Sequence, residues 1–217
     1  MNNFIPTSEN PASFSKNLRS IAVVHFISLF NENAFRTFCF CLIFQHYLQN
    51  FSLCWFYNIL FLGLSGLLPN LLFFWPAGFW ADRIPKRYLL ISAAIMDMLV
   101  FVAGFYVLNH LNQTGWLVLL LILFLQVSVK VFYNPALYAM LPEVFPEENL
   151  QKANGWISSV TFSGGGAGTF FALLMFSKDG TDLKNFTIFL LLFALIGIWR
   201  TFAVHPVISL IQKQKER

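Results

Sequence analysis

Six apolar runs, each long enough to cross a bilayer, constrain this chain more than any other feature of its sequence. About 20 apolar residues in a helix span the roughly 30 Å of a hydrocarbon core. Only 11% of the 217 residues are charged, against about 25% in a soluble domain. We therefore expect an all-α polytopic membrane protein. The predicted spans are Ile21–Phe44, Leu53–Trp80, Tyr88–Leu108, Trp116–Tyr138, Gly155–Phe176 and Phe186–Ile208.

The distribution of lysine and arginine between these runs predicts the orientation, because the basic side of a membrane protein faces the cytoplasm. One set of alternating segments carries only Lys178 and Lys184. The other set holds the basic residues Lys16, Arg19, Arg83, Lys86, Arg87, Lys152, Lys213, Lys215 and Arg217. Both termini are thus expected in the cytoplasm, with a flexible tail over 1–18, a helical bundle over 19–210 and a basic tail over 211–217.

Several ionisable residues lie within the predicted spans, where each costs roughly 2.5–3.5 kcal/mol at a helix centre. They are Glu32, Arg36, Asp97, Lys130 and Arg200. In the stretch "NENAFR", Glu32 and Arg36 are four residues apart, so they share one helix face and can form an ion pair. Either this pair only neutralises its own charges or, with Asn31 and Asn33, it lines a cavity.

The fourth predicted span repeats the four-residue spacing with Lys130 and Asn134. Lys130 either faces a cavity, where it would attract a phosphate, or pairs with Glu32 or Asp97. Asp97 has no evident partner on its own helix, and a buried protonated aspartate is favoured over a proton-linked role. Arg200 near the end of the last span is expected to extend its guanidinium to the membrane interface.

A run of small residues, "SGGGAG" from Ser163 to Gly168, lies in the fifth predicted span. Glycine lets neighbouring helix backbones approach closely in lipid, and it also softens a helix that must bend. Close packing is the favoured interpretation.

The loop after the second span reads "GFWADRIPKRYLL", in which Gly78, Asp82, Arg83, Lys86 and Arg87 have the spacing G-x-x-x-D-R-x-x-K-R. Glycine permits close packing and a tight exit, and the charges can pair across a closing interface. A basic loop that only obeys the positive-inside rule is the alternative. The spacing resembles the signature loop between helices 2 and 3 of the major facilitator superfamily.

Two further stretches are similar to the bacterial lysophospholipid transporter (LplT) family. They read "FISLFNENAFRTF" and "YNPALYAMLPEVFPEENLQKANGWISSVTF". The resemblance implies a bacterial inner-membrane protein that moves lysophospholipid inward by alternating access, represented here by its N-terminal half of two inverted three-helix repeats. It also implies a cytoplasmic gate formed by the signature loop, with Glu143 as a candidate partner. The implied substrate cavity comprises Asn31, Glu32, Asn33, Arg36, Lys130 and Asn134.

The resemblance implies partners as well: membrane lipids, a lysophospholipid acyltransferase, and a second six-helix half supplied by another chain or a second copy. A facilitator for a drug or another small molecule, and a truncated membrane protein that does not transport, stay open as alternatives. The sequence contains no basic patch interleaved with polar residues, so it does not indicate nucleic-acid binding. The histidines lack catalytic or metal-binding spacing, so neither enzyme activity nor a metal or cofactor is expected.

Overall fold

A computed structural model describes residues 11–49, 54–110 and 115–177, together with the single positions Ile188 and Leu195. Nearly all of these residues belong to long helices. The helices are α1 (Pro11–Gln49), α2 (Cys54–Arg83), α3 (Lys86–Asn109), α4 (Trp116–Val144) and α5 (Glu147–Ser177). Apart from the two single positions, the sixth predicted span lies outside the described residues, and so does Arg200.

The helices α1 and α5 begin well before the apolar runs that predicted them. α1 starts at Pro11, so the expected flexible tail over 1–18 is helical from that residue onward. Proline suits a first helical turn, whose N–H groups have no partner within the helix. α5 starts at Glu147, and its first turn carries Glu147 and Glu148, acids that favour the positive end of a helix.

Helix packing follows a simple pattern. α1 lies along α5, while α2 and α3 both pack against α4, and α1 meets α4 over a shorter stretch. Two glycines of the "SGGGAG" run make the first contact close. A Cβ added to Gly168 would lie 2.3 Å from the Phe30 carbonyl oxygen, and one at Gly164 would lie 3.1 Å from the Phe26 carbonyl oxygen. Close packing is therefore confirmed at these two positions, whereas a Cβ at Gly166 would meet no atom of the described residues within 4 Å.

Two large apolar clusters fill the interior of the bundle, one at each end, and a small third one of Ala77, Val127 and Val131 joins α2 to α4. The cluster near the α2–α3 loop includes Leu18, Leu137 and Ile157, and the cluster at the opposite end includes Phe35 and Leu119. Buried polar residues lie between the two clusters along α3 and α4, and on α1 they lie between the clusters or at the edge of the second one. These residues, called the central polar layer below, are His25, Glu32, Asp97, Gln126 and Lys130.

The outer surface of the bundle is apolar. On α2 the side chains of Leu71, Phe74 and Trp75 are all more than 70% exposed, which hydrocarbon tolerates and water does not. Among the described helices, α3, α4 and α5 contain segments long and apolar enough to cross a membrane, namely Tyr88–Asn109, Trp116–Val144 and Glu147–Phe176. The chain is an integral membrane protein.

Candidate functional site

The polar stretch of α1 forms a small hydrogen-bonded cluster. The Arg36 guanidinium lies 3.6 Å from the Glu32 carboxylate, one helical turn away, and it donates a 2.6 Å hydrogen bond to the Asn33 side-chain oxygen. Asn33 in turn donates to the Leu29 carbonyl oxygen at 2.9 Å. The predicted Glu32–Arg36 ion pair is thus present in the structure.

The two partners of this pair differ sharply in exposure. The Arg36 side chain is 45% exposed, while that of Glu32 is 9% exposed. Asn31 is buried as well. Exposed aromatic side chains continue the Arg36 face toward the end of α1, where the rings of Phe40 and Phe44 stack at a centroid distance of 6.3 Å. The surface of α1 therefore presents a cationic group beside apolar rings, with a carboxylate held just beneath.

Inside the bundle, Lys130 of α4 joins three helices. Its ammonium lies 2.5 Å from the Asp97 carboxylate on α3, and it also donates to the Ser28 hydroxyl on α1. Both side chains of the ion pair are almost fully buried. Of the two roles predicted for Lys130, pairing with Asp97 is the one that this geometry displays. Asp97 thus has an ionic partner, on a neighbouring helix rather than on its own.

Asn134 does not accompany Lys130 into the interior. Its side chain is exposed although it lies only one turn further along α4, whereas Lys130 is buried. The two residues therefore cannot contribute equally to one polar surface.

The central polar layer includes a buried histidine for which no role was expected. His25 is 2% exposed, and its Nε2 lies 2.9 Å from the Thr161 hydroxyl on α5. Its ring stacks on Tyr133 at 5.9 Å with an interplanar angle of 12°, and the same tyrosine ring lies 5.2 Å from the Lys130 ammonium. The spacing of seven residues between His25 and Glu32 was the available signal, since it places them on one helix face.

The α2–α3 loop makes one of the contacts expected of it. Lys86 lies 2.9 Å from the Glu143 carboxylate at the end of α4, so the expected pairing of Glu143 with this loop is present. Arg83 lies over the Phe79 ring at 4.1 Å, and Asp82 is exposed. A Cβ at Gly78 would meet no atom of the described residues within 4 Å, so the close packing expected there remains a prediction. The side chain of Arg87 lies outside the described part of the chain.

Comparison with known proteins points to one family. The sequence model of the Major Facilitator Superfamily matches residues 13–216. A 105-residue stretch is 30% identical to "Macrolide efflux protein A" of Enterococcus faecalis, and this stretch covers 47% of the chain and 31% of that protein. The chain therefore matches less than a third of the length of this curated relative.

Proposed function

This chain belongs to the Major Facilitator Superfamily, and from that membership we propose that it is the N-terminal half of a transporter for an amphiphilic molecule with a charged group. The observation that carries the proposal is the surface of α1. There the exposed Arg36 guanidinium lies beside exposed aromatic rings, with Glu32 one turn away. A charged head group needs the ionised side chains, and an apolar tail or ring system needs the aromatic rings.

Lysophospholipid moved inward is the first candidate substrate. A guanidinium binds phosphate with paired hydrogen bonds, while Glu32 can balance the amine of a zwitterionic head group. In this proposal Asn31, Asn33 and Asn134 add polar groups to the cavity of α1 and α4. A lysophospholipid acyltransferase would then be the enzyme that consumes the delivered molecule.

Drug efflux is the second candidate, and the similarity to a protein named for macrolide efflux favours it. A macrolide with an amino sugar is also amphiphilic, but it carries a positive charge without a phosphate. Its recognition would depend on Glu32 more than on Arg36. Lysophospholipid transport would therefore depend on Arg36, whereas macrolide transport would depend mainly on Glu32.

The moving parts follow from the superfamily. We propose that a second six-helix half faces α1 and α4 and that the two halves rock about the site. The pairing of α1 with α5 and of α4 with α2 supports two inverted repeats. In such repeats α1 corresponds to α4 and α2 corresponds to α5, so the α1–α5 pair corresponds to the α4–α2 pair. The α2–α3 loop, held to α4 by the Lys86–Glu143 pair, would form the cytoplasmic gate.

Transport of labelled lysophosphatidylethanolamine and of a labelled macrolide into and out of proteoliposomes tests the proposal. The chain is assayed alone and with a co-expressed second half. We expect Glu32→Gln to lower transport about tenfold or more, since a hydrogen bond to a charged group contributes about 1.5–3 kcal/mol.

The matched control is Glu147→Gln, the same chemical change at an exposed position at the start of α5, which should leave transport unchanged. Arg36→Gln should abolish lysophospholipid transport and spare the macrolide if the first candidate is right. Equal effects of Glu32→Gln and Glu147→Gln would remove Glu32 from the site. Transport of neither compound in any combination would overturn the proposal and favour a protein that does not transport.

A further inference from the structure

Three residues of the central polar layer keep polar atoms without hydrogen-bond partners in the part of the chain that the structure describes. The unbonded atoms are both side-chain amide atoms of Gln126, one carboxylate oxygen of Asp97, and Nδ1 of His25. Gln126 is completely buried and His25 is 2% exposed, while the side chain of Asp97 is 11% exposed. A buried polar atom that stays unbonded is strongly unfavourable. Four such atoms on three residues of one layer therefore indicate a ligand.

The register between α1 and α4 shows how these atoms are arranged. His25 of α1 stacks on Tyr133 of α4. Ser28, three residues after His25, accepts a hydrogen bond from Lys130, which lies three residues before Tyr133. The helices are thus antiparallel here. Four more residues in the same register bring Glu32 level with Gln126.

A further contact confirms that the register continues. A Cβ added to Gly104 would touch both the Phe35 ring and the Ile122 side chain, and these residues lie one turn beyond Glu32 and Gln126. Gln126 and Glu32 are therefore level on facing helices, yet the described residues include no direct hydrogen bond to the Gln126 amide. Two polar groups that face each other without bonding are the usual setting of a bridging water.

The three sets of unbonded atoms follow one line along α4. Gln126 lies one turn before Lys130, whose partner is Asp97, and Tyr133 beneath His25 lies about one turn after it. At 1.5 Å per residue this line is about 10 Å long. A water bound at Gln126 or at Asp97 would have a second polar partner, which is Glu32 at the first position and Lys130 at the second.

We propose that ordered water molecules bind inside the bundle in a column from Gln126 past Asp97 to His25. The water at Gln126 joins its amide to Glu32, and the water at Asp97 accompanies the ion pair with Lys130. Glu32 also contacts Arg36 at the exposed face, so the column reaches the surface through this pair. The buried charges of the bundle are then hydrated from the side on which Arg36 lies, whatever molecule the protein carries.

Hydroxyl-radical footprinting of the full chain in lipid nanodiscs tests for the water. Radiolysis of a bound water oxidises the side chain beside it, so Tyr133 should be oxidised although it is buried. Phe101 is the matched dry control, because it is an equally buried aromatic residue that packs against Phe35 in an apolar cluster. Both rates are divided by the rates of the free amino acids, because tyrosine reacts faster than phenylalanine. A normalised rate for Tyr133 that does not exceed that of Phe101 would overturn the proposal.

A second measurement uses the sign of a stability change. Gln126→Met keeps the length of the side chain and removes its amide. If the amide is bonded to water, the variant should lower the unfolding midpoint; if the amide is truly unbonded, the variant should raise it. Gln151→Met at an exposed position of α5 controls for the chemical change and should have little effect. A raised or unchanged midpoint for Gln126→Met would overturn the assignment of Gln126, and footprinting of the native chain decides the matter if this variant does not fold.

Discussion

The tight contact between α1 and α5 makes Gly168→Ala the sharpest test of the packing. The new methyl carbon would lie 2.3 Å from the Phe30 carbonyl oxygen and 3.1 Å from the backbone nitrogen of Ala34. Neither is the movable end of a side chain, so the helices must separate by about 1 Å to restore an ordinary contact. Overpacking of this kind costs about 1–3 kcal/mol, and the separation also loosens the neighbouring His25–Thr161 contact.

Gly166→Ala provides a control for the helix propensity of the same substitution. In the part of the chain that the structure describes, a Cβ at Gly166 meets no atom within 4 Å, so that variant gains up to about 1 kcal/mol from the better propensity of alanine. The propensity gain cancels when the two variants are compared, and Gly168→Ala should be less stable than Gly166→Ala by about 1–3 kcal/mol. Equilibrium unfolding by SDS in mixed micelles, followed by circular dichroism, measures the difference. Equal stability of the two variants would refute the backbone contact between α1 and α5.

Two further predictions concern ion pairs. Lys130→Met leaves Asp97 charged and buried without its partner, and we expect a loss of about 3–5 kcal/mol of unfolding free energy. Replacing both residues by apolar ones should recover most of it, and failure to recover would contradict a two-residue pair. Lys86→Glu should cost only about 1 kcal/mol, because the Lys86–Glu143 pair is partly exposed. Adding Glu143→Lys should restore the native midpoint, and a doubled loss would show that the pair is not formed.

The existence of the first five helices was predictable because hydrocarbon demands long apolar segments with internal backbone hydrogen bonds. Their ends were less so. The apolar run of α1 begins at Ile21, but the helix begins at Pro11, since polar residues continue a helix outside the membrane at little cost and Leu18 finds an apolar cluster. A hydropathy pattern detects the solvent of a segment, not the residues at which its helix starts and stops.

For the charged residues inside the predicted spans, a single partner was predictable only where both residues lie on one helix. The four-residue spacing of Glu32 and Arg36 was sufficient to predict their contact. Lys130 had two acidic candidates on other helices, and the choice of Asp97 depends on how α3 and α4 align, which sequence spacing does not contain. The same limit applied to the glycine run, since only the register with α1 distinguishes Gly168 from Gly166.

The charges of α1, α3 and α4 are best understood as one balanced set. Glu32 pairs with Arg36 on its own helix, and Lys130 pairs with Asp97 across the bundle, so two positive and two negative groups share the interior and its edge. Balanced pairs keep the cost of burying charge tolerable in an apolar surrounding. The set is also unequal in exposure, because Arg36 alone is open to a ligand. An anionic group that binds Arg36 would weaken the ion pair between Arg36 and Glu32. The Glu32 carboxylate would then compete with Asp97 for the Lys130 ammonium. Events at the surface of α1 are therefore expected to alter the contacts that join α1, α3 and α4.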